Sequence, residues 1–112
     1  SLPNTVNGWE QLEELDLTNN QFSGHIPNEL GELTYIKSVN LSFNYFTGEI
    51  PSQLLQIEGL ERLYFHVNKL SGTISDDICT NDKAMKILIY GNYFCPPYPE
   101  CIKYIGKQTC EN

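Results

Sequence analysis

The sequence predicts an α/β solenoid, in which short parallel strands stack on one side and short helical or 3-10 turns on the other. Three observations predict it. Units of 24 residues align without a gap at 12–35, 36–59 and 60–83. An asparagine recurs at one register, as Asn20, Asn44, Asn68 and Asn92. All four cysteines, Cys79, Cys95, Cys101 and Cys110, crowd into the last third of the 112-residue chain, where a stack needs a cover.

Each position of the unit has a mechanical reason. Leu12/Leu15/Leu17, Ile36/Val39/Leu41, Leu60/Leu63/Phe65 and Ala84/Ile87/Ile89 give the period-2 signature of a strand with one buried face. The asparagine that follows each strand can bond turn backbone that stacking would otherwise bury unsatisfied. Phe22, Phe46, Leu70 and Phe94 form a second inward column. Gly24, Gly48 and Gly72 permit a bend that a side chain would obstruct, and Ile26, Ile50 and Ile74 then point back inward. Pro27 and Pro51 open the opposite segment at the first helical position, and Leu30/Leu33 and Leu54/Ile57 close the circuit. The third unit departs, with Ser75 in place of proline, Asn81 in place of an apolar residue and Ala84 beginning the next strand, as expected of a unit that meets a cap.

These residues resemble the plant-type leucine-rich repeat, L-x-x-L-x-L-x-x-N-x-F-[ST]-G-x-I-P-x-x-L-G-x-L, over nearly the whole chain. The resemblance implies a right-handed stack with a parallel concave sheet, short helical or 3-10 convex turns and a disulfide C-cap, as in receptor-kinase ectodomains and polygalacturonase-inhibiting proteins. It also implies binding of proteins or peptides on the concave sheet. A single domain, 1–112, is expected, with a partial repeat at 1–11, a last strand in 84–94 and the cap at 95–112.

The even cysteine count at one end reads as a disulfide-stapled terminus, which places the chain in an extracellular or secreted setting. Zinc is disfavoured, because no C-x2-C pair occurs and His66 is the nearest histidine in sequence. The similar cap of plant repeats favours Cys95 with Cys101, leaving Cys79 with Cys110. The rival pairs Cys79 with Cys101 and Cys95 with Cys110, because Cys79 and Cys101 would lie on the convex side of adjacent turns. No cysteine-paired cap precedes the first unit, so Leu2, Val6, Trp9, Leu12, Leu15 and Leu17 are available as a raw edge. Either the chain is a fragment, or a partner or a second copy covers that edge.

The template assigns Glu13, Glu14, Asp16, Thr18 and Asn19 to the outward positions of the first strand, and Lys37, Ser38, Asn40, Ser42 and Phe43 to the second. Arg62, Tyr64, His66 and Val67 follow on the third, and Lys86, Leu88 and Tyr90 on the fourth. Acidic and small polar residues thus give way to aromatics. Phe43, Tyr64, His66, Val67, Leu88 and Tyr90, with Asp16 and Arg62, are the candidate partner-binding residues, since displayed aromatics bury area at low entropic cost. Cross-strand stacking that stabilises the sheet is a compatible second role. Asn40-Leu41-Ser42 matches the N-glycosylation sequon, and a glycan there would confine binding toward the C-terminal strands.

Net charge is −7, and residues 1–36 carry six acids without a lysine or arginine. Nucleic acid is therefore disfavoured as a partner. No apolar stretch reaches the ~20 residues needed to span a membrane. An enzyme is not expected: Glu13, Glu14 and Asp16 lie on a flat sheet without a pocket to raise a carboxyl pKa, and His25 and His66 fall on different faces, a turn and the sheet. No cofactor motif is present, and Ser75-Asp76-Asp77 lacks calcium-loop spacing. Ice binding is disfavoured because Asp16/Asn40/Tyr64/Leu88 and Thr18/Ser42/His66/Tyr90 hold no regular lattice. The expected function is recognition of a protein or peptide ligand; the alternative is an assembly element, a homo-oligomer formed through the N-terminal edge or the aromatic patch.

Overall fold

A computed structural model describes residues 11–80 and 86–110. The expectations for Leu2, Val6, Trp9, Asn81 and Ala84 lie outside them. The stack is built from two parallel sheets. β1 (Glu14–Asp16), β3 (Ser38–Asn40), β5 (Arg62–Tyr64) and β7 (Lys86–Leu88) form the main sheet, in the order β1-β3-β5-β7. Its register advances by one unit per strand, as in Leu15↔Val39↔Leu63↔Ile87. Val39 and Leu63 point into the core and are buried, while the residues on either side of them face outward.

The second sheet was not expected from the sequence. β2 (Ser23–His25), β4 (Tyr45–Gly48), β6 (Lys69–Gly72) and β8 (Tyr93–Phe94) pair as β2-β4-β6-β8 along the side of the stack. Segments such as Ser23-Gly24-His25 lack the β-branched alternation by which a strand is read. They are strands because stacking lays each beside its copy. Gly24, Gly48 and Gly72 lie in these strands at φ 82°, 82° and 80°, a left-handed conformation in which glycine carries no Cβ penalty. His25, expected at a turn, therefore belongs to the lateral sheet and is exposed.

The opposite side carries 3-10 turns at Asn28–Glu32 and Asp76–Thr80 and one helical turn at Ser52–Leu55. Pro27 and Pro51 are the N-cap residues, one position before the first helical residue, with extended ψ of 135° and 128°. Ser75 replaces the proline with a hydroxyl that accepts a hydrogen bond from the Asp77 amide, an N-cap interaction that proline cannot make. Leu30, Leu33, Leu54 and Leu55 turn inward from this side to meet Phe46, Phe65, Leu70 and Phe94 in one continuous buried cluster.

The asparagines bind the rungs together. Asn68 Nδ2 donates to Phe65 O of its own rung (3.1 Å) and to Leu41 O of the preceding one (2.9 Å), while its Oδ1 accepts from Phe46 N (3.1 Å). Asn44 and Asn92 repeat the pattern with Leu17 O and Phe22 N, and with Phe65 O and Leu70 N. Leu41 O and Phe65 O thus each accept one amide from their own rung and one from the next.

The ladder continues into the cap through Gln108, which the repeat did not reveal. Gln108 Nε2 donates to Ile89 O (2.8 Å), and its Oε1 accepts from Phe94 N (3.1 Å), the contacts that a further asparagine would make. Asn92 bridges Gln108 in parallel, and Gly91 N and Thr109 N bond Lys107 O and Asn92 O. The cap is a shortened extra rung. It is held by Cys79–Cys101 and Cys95–Cys110, which overturns the pairing of Cys95 with Cys101 and Cys79 with Cys110 and bears out its rival. The reason is the rung geometry. Cys79 and Cys101 are 22 residues apart, nearly one unit, so they stack on adjacent turns, whereas Cys95 leaves β8 beside the returning segment that ends at Cys110.

Candidate functional site

Outward residues of the main sheet fall into columns, because a parallel register of one unit per strand sets each above its copy. One column reads Glu14, Ser38, Arg62, Lys86 and the next Asp16, Asn40, Tyr64, Leu88. Just past the strands, Thr18, Ser42, His66 and Tyr90 form a third, in which Ser42 and His66, expected to face outward, are buried by the hydroxyl and ring contacts of their neighbours. In the first two rungs this third column is closed by hydroxyls: Thr18 Oγ1 donates to Asp16 Oδ1, and Ser42 Oγ to Asn40 Oδ1 (2.6 Å). The bonds from Thr18 hold the Asp16 carboxyl below its ordinary pKa, since they favour the ionised form.

In the third and fourth rungs aromatic rings replace the hydroxyls. His66 stacks on Tyr90 with centroids 4.8 Å apart at 25°, and it meets Phe43 (5.4 Å) and Tyr64 (6.1 Å) edge-on. Tyr90 in turn lies 6.1 Å from Tyr104 of the cap. Tyr104 is exposed and was missed by the sequence reading, because it follows the last repeat and has no template position. Gly106 makes room for this junction: a Cβ there would meet Tyr90 Cβ at 2.3 Å.

Five of the six apolar and aromatic candidates surround His66 or flank it. Phe43, Tyr64 and Tyr90 touch its ring, Val67 follows it in the chain, and Leu88 pairs with Tyr64 across the sheet. Arg62 stands one column away beside Lys86, and Asp16 two rungs away, outside the aromatic cluster. Asn40 is half-buried, and the Ser42 of its sequon bonds its Oδ1 through both amide and hydroxyl.

Asn19, Phe43 and Val67 occupy the same register at φ 60°, 59° and 57°, followed by Gly91 at 75°. The left-handed region suits asparagine and glycine, whereas a β-branched residue there costs on the order of 1–3 kcal/mol. Phe43 and Val67 are nonetheless exposed apolar residues.

His66 is 9% exposed, and its Nδ1 is buried without a hydrogen-bond partner. Burial pushes its pKa down, and a proton on Nδ1 would find no acceptor. Below about pH 6.5 the unfolded chain binds a proton at this histidine that the folded chain excludes. Stability attributable to His66 is therefore complete above about pH 7 and falls as pH drops from there through the folded pKa. Urea denaturation at pH 7.5 and 5 is expected to show this loss, and His66→Phe is expected to diminish it. An identical loss in the variant would assign the acid sensitivity to other groups.

The first rung is acidic. Glu14 and Asp16 are exposed, and Glu13 lies 4.0 Å from Lys37 in an exposed ion pair of small net worth. Among the described residues no group of three or more His, Cys, Asp and Glu side chains converges to hold a metal ion, and no helix is long and apolar enough to cross a membrane.

The Leucine Rich Repeat family signature matches residues 11–33, 35–57 and 59–81, more than half of the chain. The chain belongs to the leucine-rich repeat family. It is similar to the solved PEPR1–AtPEP1 structure, at TM-score 0.83 and 35% identity over 90% of this chain and 14% of that one. It is also similar to the Arabidopsis receptor kinase HAESA, solved with the peptide hormone IDA and the co-receptor SERK1, at TM-score 0.76 and 34% identity over 84% of this chain and 16% of that one. A plant ice-binding protein matches at TM-score 0.79 and 29% identity, over 84% of this chain and 30% of that one. The chain thus spans less than a third of each of these three structures. No curated protein sequence matches it significantly.

Proposed function

We propose that this chain is a non-catalytic recognition module that binds a protein or peptide on its concave face, outside the cell. The observation that carries the reading is the aromatic cluster in which exposed Phe43 and half-buried Tyr64 and Tyr90 surround the buried His66 ring on successive rungs, extended by exposed Tyr104. Rings held edge-on and stacked lose little entropy on binding. Phe43 and Val67 hold exposed apolar side chains at a left-handed backbone register beside the cluster. The structural neighbours PEPR1–AtPEP1 and HAESA support a peptide or protein ligand, since HAESA is solved with a peptide hormone and a co-receptor. The disulfides support an extracellular setting.

The test is affinity capture of extracellular proteins by the wild-type chain and by Tyr64→Ala/Tyr90→Ala, with folding of the variant verified by circular dichroism. A ligand held by the first and weakened at least tenfold in the second is the expected result. Ligands retained equally by both would overturn the concave site. Loss of self-association alone would assign the cluster to assembly.

A further inference from the structure

Asn40 uses only half of its amide. Its Oδ1 accepts the Ser42 backbone N–H at 3.1 Å and the Ser42 hydroxyl at 2.6 Å, while its Nδ2 donates no bond. That nitrogen opens to solvent, because His66 Nδ1 is the only buried side-chain nitrogen or oxygen without a partner among the described residues. The fold does not require a nitrogen at this position. Asp16, one rung earlier, makes the same two bonds to Thr18 with a carboxylate, and the later rungs carry Tyr64 and Leu88 there.

The ladder asparagines are the opposite case. Asn44, Asn68 and Asn92 are buried, and each Nδ2 donates to at least two backbone carbonyls. A group on any of those nitrogens would break the ladder. Two residues after each stands Phe46, Leu70 or Phe94, a core side chain without a hydroxyl. Asn40 is followed at that place by Ser42, so the one N-x-S/T triplet of the chain falls on an asparagine whose nitrogen is free.

Resting on the extracellular part of the reading above, we propose that Asn40 is an N-glycan acceptor and that its glycan covers the first two rungs of the concave face, with Tyr64 at its border and Tyr90 and Tyr104 at the open end. In the transfer, Nδ2 takes C1 of an oligosaccharide carried on a lipid pyrophosphate. The C1–O bond breaks as the C1–N bond forms, one Nδ2 proton is lost to base, and the lipid pyrophosphate leaves. The chain is modified before it folds, so the fold needs only to admit the product. Oδ1 survives in the glycosylated amide and still accepts both Ser42 bonds. Asn40 stands between Asp16 and Tyr64 in one column, ~4.8 Å from each along the sheet, so a sugar on Nδ2 rises over both.

The full chain, secreted from a eukaryotic host and read by mass spectrometry of its tryptic peptides, tests this. Trypsin cuts after Lys37 and Arg62, so Asn40 lies in the peptide 38–62. That peptide is expected to carry an oligosaccharide in most molecules, released by peptide N-glycosidase with a carboxylate left at position 40. Asn40→Asp and Ser42→Ala are expected to be secreted and folded without the glycan, the first because Asp16 already serves the same turn. Ser42→Thr is expected to keep it, since Thr18 fits that turn. Hydroxyl-radical footprinting is expected to label Tyr64 about threefold less in the glycosylated chain than in either glycan-free variant, with Tyr104 labelled alike in all. Asn40 unmodified in a secreted chain with both disulfides formed would overturn this proposal and leave the extracellular reading standing. A chain retained in the cell with its cysteines reduced would overturn both. A glycan that leaves Tyr64 as reactive as in the variants would overturn its placement over the concave face.

Discussion

Asn68→Ala is expected to destabilise the chain by about 3–4 kcal/mol, a large part of the stability of a small domain. The argument is local. Asn68 makes three hydrogen bonds in a buried setting, two from Nδ2 and one at Oδ1. Leu41 O and Phe65 O would each keep one amide, from Asn44 and Asn92, so each loses a bond worth ~1 kcal/mol. Phe46 N would lose the acceptor that Oδ1 supplies, at ~1–3 kcal/mol. Asn20→Ala is the control, because Asn20 is exposed and, among the described residues, bonds Leu17 O and Thr18 O of its own rung. Urea denaturation of both variants checks the account. A change below about 1 kcal/mol at Asn68 would mean that the ladder is incidental to the stack.

Removing the Cys95–Cys110 bridge as Cys95→Ala/Cys110→Ala is expected to cost about 3 kcal/mol in the chain-entropy account of a 15-residue separation. The consequence extends beyond stability. This bridge holds the segment containing Gln108 against Asn92, and with it Gly106 and the Tyr104 ring beside Tyr90. Thermal unfolding is expected at lower temperature, and ligand affinity is expected to fall although no contact residue changes. The pairing itself has a direct readout. Trypsin cuts after Lys69, Lys83, Lys86, Lys103 and Lys107, so Cys95 and Cys101 fall in one peptide, with Cys79 and Cys110 in two others. Non-reducing mass spectrometry is expected to find all three joined. A free peptide closed on itself, Cys95 to Cys101, would contradict the structure.

The repeat was legible in the sequence because its signals are local. Leucine spacing, the asparagine register and glycine each follow from one strand, turn or bend, and Val39, Leu63, Phe46 and Asn68 lie where that arithmetic puts them. What escaped depends on stacking or on a broken period. Ser23-Gly24-His25 becomes a strand only because a second copy runs beside it. Gln108 acts as the next asparagine after an interval of 16 residues instead of 24, so no periodic search reaches it. Family likeness led to the wrong disulfide partner for Cys95, whereas the placement of Cys79 and Cys101 on the convex side of adjacent turns carried the right one. Among the site residues, Tyr64 and Tyr90 were read from the template alone, but the contacts that make His66 the centre of the cluster, and the contribution of Tyr104, required the packed rungs.

Hydrogen exchange with and without the captured ligand tests the central claim most directly. Protection is expected in the segments that carry Phe43, 62–67, 86–91 and Tyr104, which surround the aromatic cluster. Protection confined to the lateral sheet, around Tyr45 and Lys69, or to the turns at Asn28–Glu32 and Ser52–Leu55, would place the ligand on another face and contradict concave recognition.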